Sequence, residues 1–418
     1  SSRCARGMSD VARASTDSGA AMVSLIVSVC SRRAWLRPGL NPCPHATIVD
    51  TVSSMSHRVA FVWDDALRHY DFGPGHPLAP VRVQLAYRLS RDFGLLDDPN
   101  LTMIAPTALP DGLLHSVHAP EFVTAVQQET AGSHGLGTDD VPTFADMHEH
   151  SERVCAASLA VTQAVYRGEA DHGVNFAGGL HHSMPDRASG FCVYNDLAVS
   201  IKWLLDQGVE RIAYVDVDVH HGDGVQQHFW DDPRVLTISI HESPRTLFPG
   251  TGWPTEIGGE GAEGTAINVA LPPGTADNHW LRAFDAIVPP ALHAFQPQFL
   301  VSQQGCDSHY ADPLAHLSLS LEGQQMSYHA LHRLAHTYSE GRWIATGGGG
   351  YEWVDVVPLA WTHLLAEALD RPIAPTEATP EAFQALVKNV LQRDPPMVMG
   401  NGREPWLRSW ETGYNPDD

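Results

Sequence analysis

The sequence predicts an α/β fold in which a mostly parallel central sheet carries helices on both faces. Short apolar runs typical of buried strands alternate along the chain with longer amphipathic stretches typical of helices. Hydrophobic residues make up 43% of the 418 residues and charged residues only 18%, so a sizeable core can form. No repeat with a period of about 20 to 50 residues is visible, which favours a single domain over a repeat array.

The expected elements follow from these patterns in chain order. Strands are expected at 59–63, 173–176, 211–219, 235–240, 265–270, 299–303 and 342–346. Helices are expected at 80–93, 120–129, 148–166, 194–207, 278–295 and 326–338. A last helix is expected with Thr379 as its N-cap and Pro380 at its first position. In a sheet of this kind the ligand site lies beyond the carboxyl ends of the strands.

The two ends of the chain differ from its middle. Residues 1–56 are rich in Ser, Ala and Arg without sustained periodicity, so we expect a disordered leader, with Met55 as a candidate initiator. The folded domain is expected over 57–395 and a C-terminal tail over 396–418. The apolar stretch 20–30 is about half of the roughly 20 residues that a membrane-spanning helix needs.

Net charge and cysteine spacing limit the partners and the compartment. A formal net charge of −23 argues against binding nucleic acid through its phosphates and is compatible with a basic partner. Six cysteines are scattered without the spacing of a disulfide scaffold, which fits a reducing compartment. We therefore expect a cytoplasmic protein that binds neither membrane nor nucleic acid, and the sequence leaves its oligomeric state open.

The densest functional signal is the run 215–224, Val-Asp-Val-Asp-Val-His-His-Gly-Asp-Gly, at the end of an expected buried strand. Successive strand residues point to opposite faces, so Asp216, Asp218 and His220 are expected on one face. Uncompensated carboxylates there would cost several kcal/mol each, and a bound cation removes that cost. Two oxygen donors and one imidazole suit Zn²⁺ or Fe²⁺. The alternative is a solvated acidic strand end.

Two further polar segments follow expected strands. A glycine turn precedes the adjacent histidines His181 and His182, a pair that taken alone is more often structural. Asp307 follows the expected strand 299–303 and is a candidate third metal ligand. Three protein ligands leave an open position of the kind that activates water.

A glycine run precedes a tyrosine after the last expected strand. The four glycines 347–350 resemble a phosphate cradle, yet the Gly-Lys-Ser/Thr ending of a P-loop is absent. We favour the interpretation that the glycines let the backbone approach a bound group closely and that Tyr351 donates a hydrogen bond from its phenolic hydroxyl.

In combination and in this order, these motifs resemble the histone deacetylase family. They are His181-His182, the run 215–224, Gly305-Cys-Asp and Gly347-Gly-Gly-Gly-Tyr. The resemblance spans residues 59–369, and the segments 137–144 and 147–149 are similar to the bacterial acetoin-utilization deacetylase group. It implies a single-domain arginase/deacetylase-type fold. It also implies a zinc-dependent deacetylase that removes acetyl groups from the ε-amine of acetyl-lysine in proteins.

The resemblance assigns metal positions. Asp218, His220 and Asp307 would hold one Zn²⁺ or Fe²⁺ per chain. A structural potassium ion is implied as well. Its expected ligands are Asp216, Asp218, His220, Ser239 and Ile240, and a second monovalent site would use Phe229, Asp232 and Val235.

The resemblance also assigns catalytic roles. His181 and His182 correspond to tandem histidines that act as electrostatic and general acid/base partners, with Asp216 and Asp223 behind them to orient and tune them. Tyr351 corresponds to the tyrosine that polarises the scissile carbonyl. In the implied mechanism His182 accepts a proton from metal-activated water and returns it to the amine leaving group.

Substrate contacts are implied for Asp140, Gly190, Phe191, Phe248 and Leu314. Phe191 and Phe248 correspond to the aromatic walls of an acetyl-lysine channel. Asp140, next to Asp139, corresponds to a rim aspartate that holds the substrate backbone, and Arg82 to the arginine of an interior acetate pocket.

Three other functions compete with this prediction. Arginases share the architecture but need extra carboxylates for a second manganese ion, and Gly222 and His309 occupy those positions here. Acetylpolyamine hydrolysis uses the same metal site, and Leu314 after Asp312-Pro313 offers a polyamine no acidic partner. A small acetylated amine therefore stays the alternative to an acetylated protein. A metal-binding pseudoenzyme is the third, and no residue pattern supports it.

Overall fold

An eight-stranded parallel sheet organises the protein. The computed structural model describes residues 57–405, so the expected leader with Met55 and the last part of the expected tail lie outside the described residues. The strands are β1 Val59–Val62, β2 Leu101–Ile104, β3 His172–Asn175, β4 Ile212–Asp216, β5 Val235–Glu242, β6 Ala266–Leu271, β7 Phe299–Gln303 and β8 Trp343–Thr346. Every neighbouring pair is parallel, in the order β2-β1-β3-β8-β7-β4-β5-β6. The predicted fold class is confirmed.

Helices cover both faces of this sheet. They are α1 Val81–Asp92, α2 Leu113–Val117, α3 Pro120–Gln127, α4 Met147–Tyr166, α5 Asp196–Asp206, α6 Asp223–His228, α7 Asp277–Phe295, α8 Leu321–Ser339, α9 Val357–Ala368 and α10 Glu381–Asn389. One apolar core joins the face that carries Phe61 to α1, α7, α8, α9 and α10. A second core joins the face that carries Val62 to α2, α3, α4 and α5. Both faces are therefore buried, as parallel sheets require.

The structure adds β2, α2, α6 and α9 to the predicted elements. β2 is a four-residue edge strand with two exposed residues, so it lacks the apolar run of a buried strand. All twelve residues of α9 are buried, so no polar face alternates with an apolar one in its sequence. α2 and α6 have five and six residues, too few to show a helical period.

Two local predictions were wrong. The strand predicted at 211–219 ends at Asp216, so Asp218 and His220 lie in the following loop and not on a strand face. Helix α10 has Pro380 at its N-cap, one position later than predicted. The hydroxyl of Thr379 instead donates a hydrogen bond to the carbonyl oxygen of Pro396, at 2.5 Å.

The chain stays packed against the core beyond the expected domain boundary at residue 395. Met399 is fully buried in the core that contains α9 and α10. The side-chain oxygen of Asn401 accepts a hydrogen bond from the amide of Leu321, at 2.8 Å. Within residues 57–405, none of the helices combines the length and the apolar character that a membrane span requires.

Candidate metal centre and active site

The loops after four adjacent strands converge at the carboxyl-terminal edge of the sheet. β3, β8, β7 and β4 are neighbours, and the chain that follows each of them carries, in that order, His181-His182, Tyr351, Asp307 and Asp218. Carboxyl ends of parallel strands share one edge, so the sequence motifs meet there although up to 170 residues separate them along the chain, from His181 to Tyr351.

The loop after β4 turns because aspartates bond their own backbone. The amide of Val217, the residue after β4, donates to the carbonyl oxygen of Gln303 at 3.1 Å. Beyond it, Asp216 Oδ1 accepts the amide of Asp218 at 3.1 Å, and Asp218 Oδ1 accepts the amide of His220 at 2.9 Å. Such bonds to the amide two residues ahead are a favoured alternative to the strand ladder for Asp. They end the strand and fix both metal-site candidates in one loop.

Asp218, His220 and Asp307 form a compact donor set. His220 Nδ1 lies 3.2 Å from Asp218 Oδ1 and 3.2 Å from Asp307 Oδ2, and one donor atom of each residue lies within 4.8 Å of the others. A tetrahedral ion with ligand distances of about 2.0–2.2 Å spaces its ligand atoms by about 3.3–3.6 Å. The observed spacing fits such an ion after a small adjustment.

The charges at this centre also favour a cation. Asp218 and Asp307 are fully buried. Burial and the charge of Asp218 raise the pKa of Asp307 to about 6. Burial opposes a charge on His220, but its hydrogen bonds to Asp218 and Asp307 outweigh burial and raise its pKa to about 10. In the metal-free chain, protonated His220 therefore places one positive charge beside the carboxylates of Asp218 and Asp307. A divalent ion at the same place would neutralise both negative charges.

Backbone and amide donors hold the ligand carboxylates in place. Asp218 Oδ2 accepts from Gln303 Nε2 at 2.7 Å and from the amide of Gly349 at 2.8 Å. Asp307 Oδ1 accepts the amide of Val219 at 2.8 Å. A Cβ at position 349 would collide with Asp307 Oδ2, so the glycine run permits this close approach of the backbone. Each carboxylate keeps an oxygen atom near His220 for an ion.

The tandem histidines are each backed by a carboxylate. His181 Nδ1 lies 2.8 Å from Asp216 Oδ2, which also accepts from the hydroxyl of Tyr214 at 2.6 Å. His182 Nδ1 lies 2.6 Å from Asp223 Oδ1. The two Nε2 atoms lie 3.1 Å apart, beside the donor set, with His181 Nε2 3.9 Å from Asp218 Oδ1. Asp216 and Asp223 thus lie behind the histidines, and their role in orienting and tuning the imidazoles stays a prediction.

The two imidazoles have opposite electrostatic surroundings. Burial opposes a charge on His181, but the carboxylates of Asp216 and Asp218 outweigh burial and raise its pKa to about 9. Burial and the charge of His181 lower the pKa of His182. At neutral pH His181 is therefore charged and His182 neutral, a pairing that supplies one proton donor and one acceptor.

Tyr351 lies at the edge of the same site. Its amide donates to Asp312 Oδ2 at 2.8 Å, and Asp312 Oδ1 accepts the amide of Leu314 at 2.9 Å, so one carboxylate joins two loops. Burial and the charge of Asp307 raise the pKa of the Tyr351 hydroxyl well above its ordinary value. The hydroxyl therefore stays protonated and able to donate a hydrogen bond.

Aromatic rings lie on two sides of this centre. Phe248 is 46% exposed, and its ring centroid lies 5.0 Å from that of His182. The half-buried ring of Phe191 lies perpendicular to that of Tyr351, at 5.7 Å. Phe191 adopts a left-handed backbone conformation with φ of 65°, directly after Gly190 with φ of 53°. A Cβ at Gly190 would collide with the ring of His182, so only glycine fits there.

The predicted rim residues contact the protein itself. Asp140 Oδ2 accepts the amide of Gly190 at 2.8 Å, which fixes the loop that carries Phe191. The carbonyl oxygen of Asp140 lies 3.3 Å from His76 Nε2. Leu314 is half-buried and packs against the core on the Val62 face of the sheet.

Arg82 is a buried cation on α1. It is 3% exposed, donates to the carbonyl oxygen of Gly348 at 2.7 Å and lies over the ring of Trp361, 5.2 Å from its centroid. Burial lowers its pKa. Among the described residues, no carboxylate forms a salt bridge with it. A small anion would therefore find an uncompensated positive charge beneath the glycine run.

The residues expected to bind potassium fall into two groups. Asp216 pairs with Ser239 across the β4–β5 ladder, and Ile240 follows. Farther along, the carbonyl oxygen of Phe229 accepts the amide of Asp232 at 3.1 Å, and that of Asp232 accepts the amide of Val235 at 3.2 Å. Each of these carbonyl oxygens keeps a second lone pair for a cation. Potassium binding stays a prediction.

Comparison with known proteins identifies the family. Residues 76–368 match the model of the histone deacetylase domain. The chain belongs to the histone deacetylase family. The acetoin utilization protein AcuC of Bacillus subtilis (strain 168) is 40% identical over 315 residues, which cover 73% of this chain and 81% of that protein. AcuC of Staphylococcus xylosus is 36% identical over 341 residues, covering 79% and 88%. AcuC of Staphylococcus aureus (strain MRSA252) is 36% identical over 324 residues, covering 76% and 83%.

These similarities confirm the predicted resemblance and its acetoin-utilization subgroup. A histone deacetylase family member with this degree of similarity is a deacetylase-type hydrolase that acts on an acetylated substrate. The motifs at the carboxyl-terminal edge of the sheet all fall within the matched residues.

Sequence reasoning missed several supporting residues of this histone deacetylase family site. Gln303 bonds Asp218 and also accepts the amide of Gly305, at 2.7 Å. Asp196, at the start of α5, accepts the amides of Gly179 and Leu180 at 3.0 and 2.7 Å. Gln303 is the last residue of β7, and a polar residue at a buried strand end was the available signal. Asp196 is the first residue of a helix, where an acidic residue is ordinary, so its sequence position gave no signal. Other residues missed are Tyr214, Asp312 and His76.

Proposed function

We propose that this histone deacetylase family member is a metal-dependent amidohydrolase that removes acetyl groups from the ε-amine of acetyl-lysine in proteins. The observation that carries the proposal is the close grouping of three elements. They are the donor set Asp218, His220 and Asp307, the two carboxylate-backed histidines and the protonated Tyr351. Such a grouping supplies metal, base and oxyanion donor to a single amide bond.

The donor set would hold one Zn²⁺ or Fe²⁺ per chain. When bound, such an ion polarises an amide carbonyl and makes water more acidic. One imidazole and two carboxylate oxygens, without a thiolate, suit either metal. A structural potassium ion near Asp216 and Ser239 belongs to the same proposal.

The protein groups would move one proton and hold one oxygen atom. His182, neutral and held by Asp223, accepts a proton from the attacking water and delivers it to the amine leaving group. His181, held by Asp216, stabilises the negative charge that develops on the carbonyl oxygen. Tyr351 donates its hydroxyl to the same oxygen. The amide and one water thereby become acetate and an ammonium group.

The surroundings of the site favour a lysine side chain as the substrate. Phe248 and Phe191 offer apolar rings to an aliphatic chain. Arg82 offers a buried positive charge to the acetate product. Leu314 offers no negative charge to the inner ammonium group of an acetylpolyamine, which is the alternative substrate. The formal net charge of −23 would attract lysine-rich proteins.

The decisive experiment compares kcat/KM on an acetyl-lysine peptide and on N-acetylspermidine with the same zinc-loaded protein. We expect the peptide to be preferred at least about tenfold, since the polyamine meets no acidic partner. The variant Leu314→Glu supplies that partner and should raise kcat/KM for acetylspermidine. A preference of the unchanged protein for acetylspermidine would establish the small-molecule alternative instead. Hydrolysis of neither substrate by metal-loaded protein would refute the amidohydrolase proposal.

The domain organisation and the compartment belong to this proposal too. Residues 57–395 would form the catalytic domain, and the chain after it stays packed against that domain at Met399 and Asn401. A cytoplasmic location would suit the buried free thiols of Cys155, Cys192 and Cys306.

A further inference from the structure

Four histidines meet at the amino-terminal edge of the sheet, the edge opposite to the active site. His57 precedes β1, His172 is the first residue of β3, and His332 and His336 lie one turn apart on α8. His57, His172 and His332 are buried and His336 is half-buried. We call these four residues the histidine cluster. The proposed deacetylation does not use it.

Three ring nitrogens of the cluster converge on one point. The Nε2 atoms of His172, His332 and His336 are separated by 3.0 Å, 3.1 Å and 3.3 Å. A tetrahedral ion with metal–nitrogen distances of about 2.0–2.1 Å spaces its ligand nitrogens by about 3.3–3.4 Å. His57 also has a ring nitrogen within 4.8 Å of ring nitrogens of His332 and His336, in a group that does not include His172. The triangle therefore has the dimensions of a metal site.

Hydrogen bonding alone does not satisfy this triangle. A neutral imidazole nitrogen either carries a proton and donates, or carries a lone pair and accepts. Because there are three adjacent nitrogens and only two roles, at least two of the nitrogens must have the same role. Two donors, or two acceptors, that face each other repel. His172 Nδ1 has no hydrogen-bond partner among the described residues. When this nitrogen carries the ring proton, the lone pair of His172 lies on Nε2, toward the other two rings. A cation that takes three lone pairs removes the conflict.

The imidazoles of His172, His332 and His336 are kept neutral. Burial, with the mutual repulsion of the rings, lowers the pKa of His172 to about 3 and that of His336 to about 4. The same causes lower the pKa of His332. The nearby carboxylate of Asp171 is engaged by Arg58, at 3.1 Å. Lone pairs are thus free at neutral pH, and the cluster contains no anionic ligand.

Neighbouring residues fix the rings. The indole of Trp343, the first residue of β8, stacks on His332 at 5.7 Å and packs edge-on against His172 at 5.6 Å. A Cβ at Gly341 would lie 3.0 Å from the ring of His336, so the chain there passes close to that ring. The half-buried His336 leaves the cluster reachable from the surface. The rings are therefore held in place before an ion binds, as the ligands of a metal site are expected to be.

We infer that the histidine cluster binds a second divalent transition-metal ion, with the converging Nε2 atoms of His172, His332 and His336 as ligands. An all-imidazole set suits zinc, copper or nickel ions and not calcium or magnesium. The ion would join β3 to α8, so its role is to stabilise the fold at this edge. It lies outside the active site and takes no part in the reaction.

The test counts zinc ions in purified full-length protein after chelation, reloading with zinc and removal of excess. We expect two ions per chain in the unchanged protein and one in Asp307→Asn, which lacks a ligand of the catalytic set. His336→Gln should also hold one, and the double variant none. His279→Gln, an exposed histidine on α7, is the matched control and should hold two.

A second measurement separates metal binding from a folding defect. In the Asp307→Asn background, added zinc should raise Tm by a few degrees, because an ion that binds only the folded state stabilises it. The same addition should not shift Tm when His336→Gln is also present. One ion in the unchanged protein and none in Asp307→Asn would overturn the inference and leave the catalytic metal standing. Two ions in His336→Gln would overturn it as well.

Discussion

The two edges of one sheet carry two histidine-containing centres built on different principles. At the carboxyl-terminal edge, the donor set includes two fully buried carboxylates, and backbone amides and Gln303 hold these in place. At the amino-terminal edge, the histidine cluster has four rings that contact one another and no carboxylate ligand. The first arrangement fixes ligand positions even without a metal and demands a cation. The second offers lone pairs from rings that pack against one another and against Trp343.

The largest expected effect separates the two centres directly. Asp307→Asn keeps an oxygen acceptor for the amide of Val219 but removes one negative charge from the donor set. We expect kcat/KM on an acetyl-lysine peptide to fall more than about 100-fold. Mutating a residue that only hydrogen-bonds a metal ligand already lowers metal affinity or activity by about 10–100-fold, and losing a ligand should cost more. Deacetylation assays with metal analysis measure both effects. Full activity with an unchanged metal content would show that this carboxylate is not a ligand.

Tyr351→Phe should lower the activity of the site at the carboxyl-terminal edge without changing the metal content of either centre. Loss of the hydroxyl takes away one donor to the oxyanion, so kcat should fall about 10²–10³-fold. The metal content and Tm should stay unchanged. Tyr310→Phe, at an exposed tyrosine, is the control. An active Tyr351→Phe variant would place the oxyanion donor elsewhere.

Phe248→Ala should have a smaller effect, confined to substrate binding. The ring is nearly half exposed, so its loss should not change Tm, but an aliphatic chain would lose one apolar wall. We expect KM for the peptide to rise about tenfold, because the loss of one apolar contact in a binding pocket weakens binding by about this factor or more. We expect kcat to change little. Steady-state kinetics separate the two constants. A fall in kcat alone would mean that Phe248 positions His182 instead.

The smallest expected effect is a change in the pH dependence of stability at the histidine cluster. His172 and His336, with folded pKa values of about 3 and 4, titrate near 6.5 when the chain is unfolded. The unfolded state therefore binds more protons between these values, and the free energy of unfolding falls as the pH drops below about 6.5. In metal-free protein, His336→Gln removes one such group, so Tm should fall less steeply from about pH 7 to pH 5. Calorimetry at several pH values measures this slope, and equal slopes would contradict the assignment.

Sequence patterns predicted the sheet and pointed to the candidate site because the relevant signals are local. The parallel sheet follows from alternating strand and helix patterns, and the candidate site follows from polar residues placed directly after apolar strands. Asp218, His220 and Asp307 were proposed as ligands in this way, and the structure groups them, while metal binding stays a prediction. The bend after Asp216 was not, because hydrogen bonds from the aspartates to their own backbone compete with the strand ladder there.

The histidine cluster shows what such patterns leave out. Its members come from three separate parts of the chain, and each one alone is an ordinary histidine near the end of an element. Only His332 and His336, four residues apart on a helix, share a local signal. Helix α9 was missed for a related reason, since complete burial removes the polar face that marks an amphipathic helix. Convergence of distant residues and burial on all sides arise only in the folded tertiary structure, so no local sequence pattern indicates them.

Asp196 ties the glycine turn before the tandem histidines to two helices at once. Its carboxylate, at the start of α5, accepts the amides of Gly179 and Leu180 and the hydroxyl of Ser158 on α4, at 2.5 Å. A segment anchored in this manner opens to solvent only when those helices come apart, so its amides should exchange with deuterium as slowly as the interior. Heat would then abolish turnover and native structure in a single cooperative event.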